Sequence, residues 1–425
     1  GVSEAERPLA LQRAASAAAQ VEGALARQAE ARTHAQAALP EGAKLPPNDP
    51  PAKTANQLAE EAPDVRAQVS KAISDAVREA RAQAEKLGLP GGELPPQLST
   101  QLAELETLRV RLEEPEVQKK LAMVTPPRAA DIGPGRDLSG RTMTGRDLAG
   151  LDLSGANLEG AILAGARLVG TRFAGANLRS AVLQGADLSG ADLSTADLSR
   201  AILNDAKASG ADFRGAKFEQ TLLANTVLKG ARFEGAKAVM MLLSGADASG
   251  ARFQGADFFK VMAEGAQLEA ADFSDAKVVQ CGFVRCKARG ASFARAVVTH
   301  TTFLQSDLQR AIFVESSGEA ASFMGADLGE ADFRRCRLHD AHFMEARAVA
   351  TKFFGADLRG AELVRALLDG ADFERANLFG ANLGRATLNA TRFVDASLYR
   401  ARFTGATGKD PDFAGANTSE AVLPS

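Results

Sequence analysis

The chain has no tryptophan, one tyrosine, three cysteines and no excess of either charge sign. Each shortage excludes something. Three cysteines in 425 residues cannot staple a disulfide framework, which points to a reducing compartment. Fifty lysines and arginines against 53 aspartates and glutamates create no global field to draw in nucleic acid or an acidic membrane. No apolar run approaches the roughly 20 residues of a membrane-spanning helix. The opening Gly1-Val2-Ser3-Glu4 lacks the basic-then-apolar order of a signal peptide. A cytoplasmic location is therefore expected, for a chain whose missing initiator methionine reads as processing or trimming. Apolar residues make up 45% but aromatic ones only 5%, so small side chains supply much of the interior.

What is present is a beat of five. From Leu138 to Leu423 every fifth residue is nearly always Leu or Phe, with some Ala, Val or Met, giving 58 units without insertion or deletion. Two places before each centre stands a small residue, as at Ala156, Ala186, Ala211, Ala326 and Ala371. Asp or Asn often lies between, as at Asn157, Asp187, Asp212, Asp327 and Asp372. Gly often follows two places after the centre, as at Gly155, Gly185, Gly215, Gly255 and Gly360. In an extended segment residues alternate faces, so the small residue and the centre point inward together. Five is odd, so each unit must turn a corner before the next centre can also face inward. Gly eases that corner, and where it is absent the backbone must take a conformation other residues tolerate. Repeated corners wind a solenoid whose laps pair through parallel backbone hydrogen bonds.

The phenylalanines set the number of sides. Phe213, Phe233, Phe253, Phe273, Phe293, Phe313, Phe333, Phe353, Phe373, Phe393 and Phe413 recur every twenty residues. A lap of four units stacks them into one interior column, whereas three units would scatter them. Phe283, Phe303, Phe323, Phe343 and Phe403 make a partial second column on the opposing face, and the other two faces mainly carry Leu, Ala or Val. About fourteen laps at a strand spacing near 4.8 Å predict a mainly β rod roughly 65–70 Å long, with a solid interior.

This A(D/N)LXX pattern over residues 136–425 resembles the pentapeptide-repeat family. The resemblance implies a right-handed quadrilateral parallel β-helix, but fold alone does not assign function. The start at Gly135–Gly140 and the run Leu151–Leu158, after an Ala/Pro-rich helical segment, resemble a bacterial subgroup that accompanies the type VI secretion apparatus. That resemblance implies an accessory or adaptor role in loading effectors. Other members protect or inhibit DNA gyrase by imitating duplex DNA. Residues 1–135 carry 16 basic and 19 acidic residues, leaving 34 of each for the repeats, so a net-neutral rod counts against such mimicry.

Residues 1–130 read as an α-helical leader, with helices near 3–39, 54–88 and 97–124 separated by Pro-rich linkers. Val65, Val69, Ile73 and Val77 form one narrow apolar stripe; Leu98, Leu102, Leu105, Leu108 and Leu112 form another. They can pair with each other, or pack on the side or first lap of the rod. A cap is the favoured role, since an open solenoid end exposes unpaired strand groups; a docking arm is the alternative.

No catalytic, cofactor or metal site is expected. Cys281, Cys286 and Cys336 all occupy the small inward place, where Cys behaves as a buried hydrophobe. His339 and His342 flank a corner and point outward from adjacent faces, while Cys336 points inward, so no zinc set forms. His34 and His300 stand apart from them. The unbroken frame inserts no loop to build a cleft, and acid–base chemistry needs converging groups. Lys277, Arg285, Lys287, Arg289 and Arg295 make one stretch basic, most simply as solvated charge.

The repeats do single out two outward apolar zones. Val239, Met240, Leu242, Phe259, Met262 and Val279 cluster over successive laps around one edge, and contiguous exposed apolar area usually has a use. Phe379 and Tyr399, one lap apart beside Arg359 and Arg400, are a second candidate. The sequence therefore reads as a non-enzymatic scaffold or adaptor binding protein partners. A gyrase-directed DNA mimic and a translocated effector with its activity in the leader stay open. Pro411 removes an edge donor near the last lap, and an end-to-end homodimer there also stays open.

Overall fold

The computed structural model describes residues 132–423; the expected helices near 3–39, 54–88 and 97–124 lie outside them. Parallel bridges join residues twenty apart, from Asp137↔Asn157 through Arg402↔Val422, which makes about fourteen four-sided laps. The ladder alternates donor and acceptor between laps: Leu138 N–H donates to Asn157 O at 2.7 Å, and Asn157 N–H to Arg136 O at 2.9 Å. Within a corner, Arg141 N–H donates to Leu138 O at 3.1 Å and closes the turn. Each lap therefore satisfies the backbone groups of its neighbours, and a five-residue unit can turn without orphaning them.

Most units meet through single bridges. Continuous three-residue strands form on one wall: β1 (Lys217–Glu219), β2 (Lys237–Val239), β3 (Asp257–Phe259), β4 (Lys277–Val279), β5 (Ser317–Glu319) and β6 (Arg337–His339). β1–β4 make a parallel sheet in sequence order, and β5 pairs with β6. We call this the Phe258 wall. The next wall, reached around the corners Gln220, Met240, Lys260 and Gln280, is the Leu163 wall.

Corners lacking Gly do not switch conformation. Asp275, Gln280, Arg285, Arg295, His300, Gln305, Arg310 and Glu315 sit at φ between 52° and 60°, in the left-handed region otherwise taken by Gly290 at 65°. The lap imposes this geometry on whichever residue stands there, although an L side chain resists it.

The first Phe column stacks from Phe213–Phe233 at 4.8 Å to Phe393–Phe413 at 5.1 Å between ring centroids. The second stacks from Phe283–Phe303 at 5.3 Å to Phe323–Phe343 at 4.9 Å. Between columns the rings meet edge to face, as at Phe313–Phe323, 5.3 Å and 89°. Positive ring edges thus point at negative faces across the axis. The face expected to hold mainly Leu, Ala or Val does so, with Phe218 and Phe258 as exceptions that alternate with Ala238 and abut Phe213 and Phe253 edge-on. One expectation needs correction. Phe413 is only partly buried, because it lies in the last described lap.

The small inward place also takes polar residues, for a specific reason. Thr171 Oγ1 donates to Leu148 O at 2.8 Å, Thr351 to Leu328 O at 2.7 Å, and Ser306 to Phe283 O at 2.9 Å. A carbonyl of the preceding lap waits for a short donor. Cys281 Sγ makes the same contact with Phe258 O at 3.6 Å. At two centres the core side chain is missing: a Cβ on Gly318 would come within 2.9 Å of Val298 and Thr299 backbone, and one on Gly408 within 2.6 Å of Leu388.

Candidate protein-binding surface

Outward positions on the two walls converge on their shared edge. On the Phe258 wall, Val239, Phe259 and Val279 are register partners on β2, β3 and β4. Across the corner, Leu242 bridges Met262 on the Leu163 wall. Met240 occupies the corner itself, at φ 53°. The six residues expected to cluster from the sequence are thus brought together. Phe259 is 37% exposed, and Lys260 holds its ammonium 5.0 Å from the Phe259 ring centroid. Met262 lies across Gly282 on the next lap: a Cβ there would come within 2.7 Å of the Met262 methyl. On the other side of the apolar row the same strands carry exposed Lys217, Lys237, Asp257 and Lys277 in register.

The Leu163 wall carries more than the sequence reading picked out. Ile162, Val182, Ile202, Leu222, Leu242 and Met262 form one uninterrupted chain of bridges. Their shared twenty-residue spacing is the sequence signal for this row, and Leu242 and Met262 stand out in it because they adjoin the outward Val and Phe.

Phe379 and Tyr399 stack at 5.6 Å, with Phe379 41% exposed. Arg400 lies 5.1 Å over the Tyr399 ring, and the Tyr399 hydroxyl donates to Glu420 at 2.8 Å. That hydrogen bond to a carboxylate raises the Tyr399 pKa. The two zones belong to one column of the Phe258 wall, which the backbone ladder carries through Thr299, Glu319, His339 and Arg359. Between them His339 Nε2 lies 2.9 Å from both Asp357 and Arg359. Burial pushes the Asp357 carboxyl up, but bonds from Arg359 and His339 outweigh it, leaving its pKa below the ordinary range.

His339 and His342 stand on different walls, on either side of the corner at Asp340. Among the described residues, no group of three or more His, Cys, Asp or Glu is placed to hold a metal ion. The three thiols are free and buried; burial pushes Cys281 and Cys286 up to about 12 and Cys336 up as well. They are poor nucleophiles in that state. In the basic stretch, Arg295 pairs with Asp275 at 2.7 Å and Arg285 pairs with Glu264, so part of its charge is neutralised between laps.

Among curated proteins none matches this chain in sequence. Among solved structures it is similar to HetL, a pentapeptide repeat protein involved in heterocyst differentiation regulation in the cyanobacterium Nostoc sp. strain PCC 7120. The two are 22% identical over 66% of this chain and 90% of that one, with a TM-score of 0.17. QnrB1, a plasmid-mediated fluoroquinolone resistance protein, is 17% identical over 50% of this chain and 89% of its own, TM-score 0.26. A pentapeptide repeat protein of the Arabidopsis thaliana thylakoid lumen is 34% identical over 26% and 70%, TM-score 0.19. The family model for pentapeptide repeats matches residues 143–179, 176–215, 209–238, 242–275, 321–360, 356–393 and 371–407, just over half of the chain. The repeat frame, the four-walled laps and that match agree: the chain belongs to the pentapeptide repeat family.

Proposed function

We propose that this protein is a non-enzymatic scaffold that presents the edge between two walls of a rigid rod to partner proteins. The observation that carries the reading is the placing of Val239, Phe259 and Val279 beside Leu242 and Met262 in adjoining columns. A surface held by a fully hydrogen-bonded ladder loses little conformational freedom on binding, so less of the contact energy goes into ordering it. The flanking row of three lysines and Asp257 is net positive and favours a partner whose apolar face is bordered mainly by carboxylates. An interior filled by stacked Phe, Leu and Ala supports a non-catalytic role, because reaction sites need a concave pocket with converging groups.

The adaptor role at the type VI secretion apparatus, in the bacterial cytoplasm, is the finer form of this reading; it rests on the subgroup resemblance. Affinity capture with the full chain against a Phe259→Asp plus Met262→Asp variant tests both levels. Loss of specific partners by the variant, with circular dichroism and melting unchanged, supports the surface. Secretion-apparatus components among the lost partners support the finer form. Recovery of identical partners by both proteins removes the edge as the interface.

A further inference from the structure

Outward places in the repeat are mostly polar, and one column of the Leu163 wall is not. Val284, Leu304, Met324, Met344 and Val364 each stand one residue after an inward centre. Consecutive laps bring them together: Arg285 N–H donates to Leu304 O at 2.8 Å, Gln305 N–H to Met324 O at 3.0 Å, and Gly325 N–H to Met344 O at 2.9 Å. Among the described residues no other column at that place holds more than three apolar residues in succession. Met324 is 38% exposed and the other four are half-buried. The stripe stops at Glu264 on one side and Gly384 on the other.

Its two borders carry polar groups in a matched order. Along one runs the column before the centres, Thr302, Ser322, His342 and Glu362, bridged lap to lap. Along the other run the corners Gln305, Gly325, Glu345 and Arg365. Each lap thus sets Thr302 against Gln305, His342 against Glu345 and Glu362 against Arg365 across the stripe. The pair Arg365–Glu345, at 3.1 Å, leaves both side chains more than half exposed. Half a revolution about a line along the stripe lays each of these residues opposite its complement.

We propose that a second copy of this chain packs on this stripe, side by side and parallel, with the two-fold axis running along Val284–Val364. Spacing and charge choose that occupant. The five rungs repeat at the lap spacing, about 4.8 Å, and cover about 19 Å. A second rod has the same repeat and meets every rung. A helix, at about 5.4 Å per turn, falls about 2.4 Å out of step over that length. The parallel register sets Glu362 opposite Arg365 of the second copy, and His342 opposite its Glu345, twice over by symmetry. An antiparallel contact centred on Met324 would instead set Arg285 against Arg365, like charge against like. A two-fold contact of this kind closes at a dimer. It goes beyond the partner-binding edge, since it uses later laps and lies beside the opposite corner of the Leu163 wall.

Disulfide cross-linking of the full chain tests it, because the native cysteines are buried. Under mild oxidation Leu304→Cys, Met324→Cys and Met344→Cys should each link to themselves at least about tenfold faster than Ile312→Cys on the opposite wall. A stripe this narrow belongs with the weaker interfaces, so sedimentation between about 1 and 100 µM should show monomer passing to dimer. Met324→Asp plus Met344→Asp should weaken dimerisation at least about tenfold with circular dichroism unchanged. Phe259→Asp plus Met262→Asp should leave it unaltered, which separates this contact from the partner-binding edge. Monomer throughout that range, or a dimer indifferent to the two methionine substitutions, would overturn the proposal. So would Leu304→Cys and Met344→Cys linking only when mixed, the mark of an antiparallel contact.

Discussion

From residue 135 to 175 all nine corners are glycine; from 275 to 315 only Gly290 is, yet both stretches turn alike. The glycines sit at φ 62–68° and the eight other residues at 52–60°. The difference shows that stacking of laps sets the corner and that residue choice only tunes its energy. A non-glycine residue in this region costs about 1–2 kcal/mol. Glycine forfeits roughly 0.5–1 kcal/mol through the freedom it loses on folding, so the net gap is small. The side chain gained at a corner is then put to use between laps: Arg295 with Asp275 at 2.7 Å, Arg310 with Glu330 at 3.0 Å, Arg365 with Glu345 at 3.1 Å, Arg400 with Glu420 at 2.7 Å. Exposed pairs of this kind contribute about 0–1 kcal/mol each. The glycine-cornered laps are filled mainly by Leu, while the Phe columns run through the other stretch.

The largest test removes an aromatic rung. Phe313 stacks on Phe293 at 4.9 Å and Phe333 at 4.6 Å and meets Phe303 and Phe323 edge-on. Phe313→Ala should lower unfolding stability by about 3–5 kcal/mol, and Leu193→Ala in the lower rod by less. Equal losses in denaturant melts would erase the distinction between the two fillings. Next, Gly318→Ala should cost about 1–3 kcal/mol, since its Cβ meets backbone that cannot turn aside. A neutral result would mean that the lap spacing yields locally.

Corner exchanges address the comparison directly. Gly155→Ala, whose Cβ meets nothing within 4 Å, should cost about 1 kcal/mol from backbone conformation alone. Arg310→Gly should change stability by under about 0.5 kcal/mol, as relief at the corner offsets the lost ion pair. A large loss there would show that corner ion pairs count for more than exposed pairs usually do. The smallest effect is with pH. Hydrogen bonds from Arg295 and Arg310 hold the Asp275 and Glu330 carboxyls below their ordinary range. Folded values below unfolded ones mean that this stabilisation is complete above about pH 5 and fades as pH falls through the depressed values. Asp275→Asn plus Glu330→Gln should flatten the melting temperature between pH 5 and 3, and an unchanged slope would refute the contribution.

Much of the rod was legible because its grammar is local. The five-residue beat places the inward centres, and the Phe period of twenty counts the walls. The edge formed by Val239, Phe259 and Met262 followed from the same frame. What stayed hidden depended on adjacency between distant residues. Ile162, Val182 and Ile202 look like unrelated outward residues until the laps stack them. Phe379 and Tyr399 read as a separate patch until the ladder puts them in the column of Phe259. At Gly318 the repeat lacks an apolar centre because the backbone of the neighbouring lap comes too close for a side chain.

By itself the amino-acid order determined the lap, the filling and the absence of inserted loops, because alternation of faces and an odd repeat leave a regular chain little other choice. Only the folded molecule decided which outward residues remain in water. Exposure differs from wall to wall, and the repeat does not encode that: Ile312 is bare, whereas Ile162, at the same place in its five-residue unit on the opposite wall, is buried.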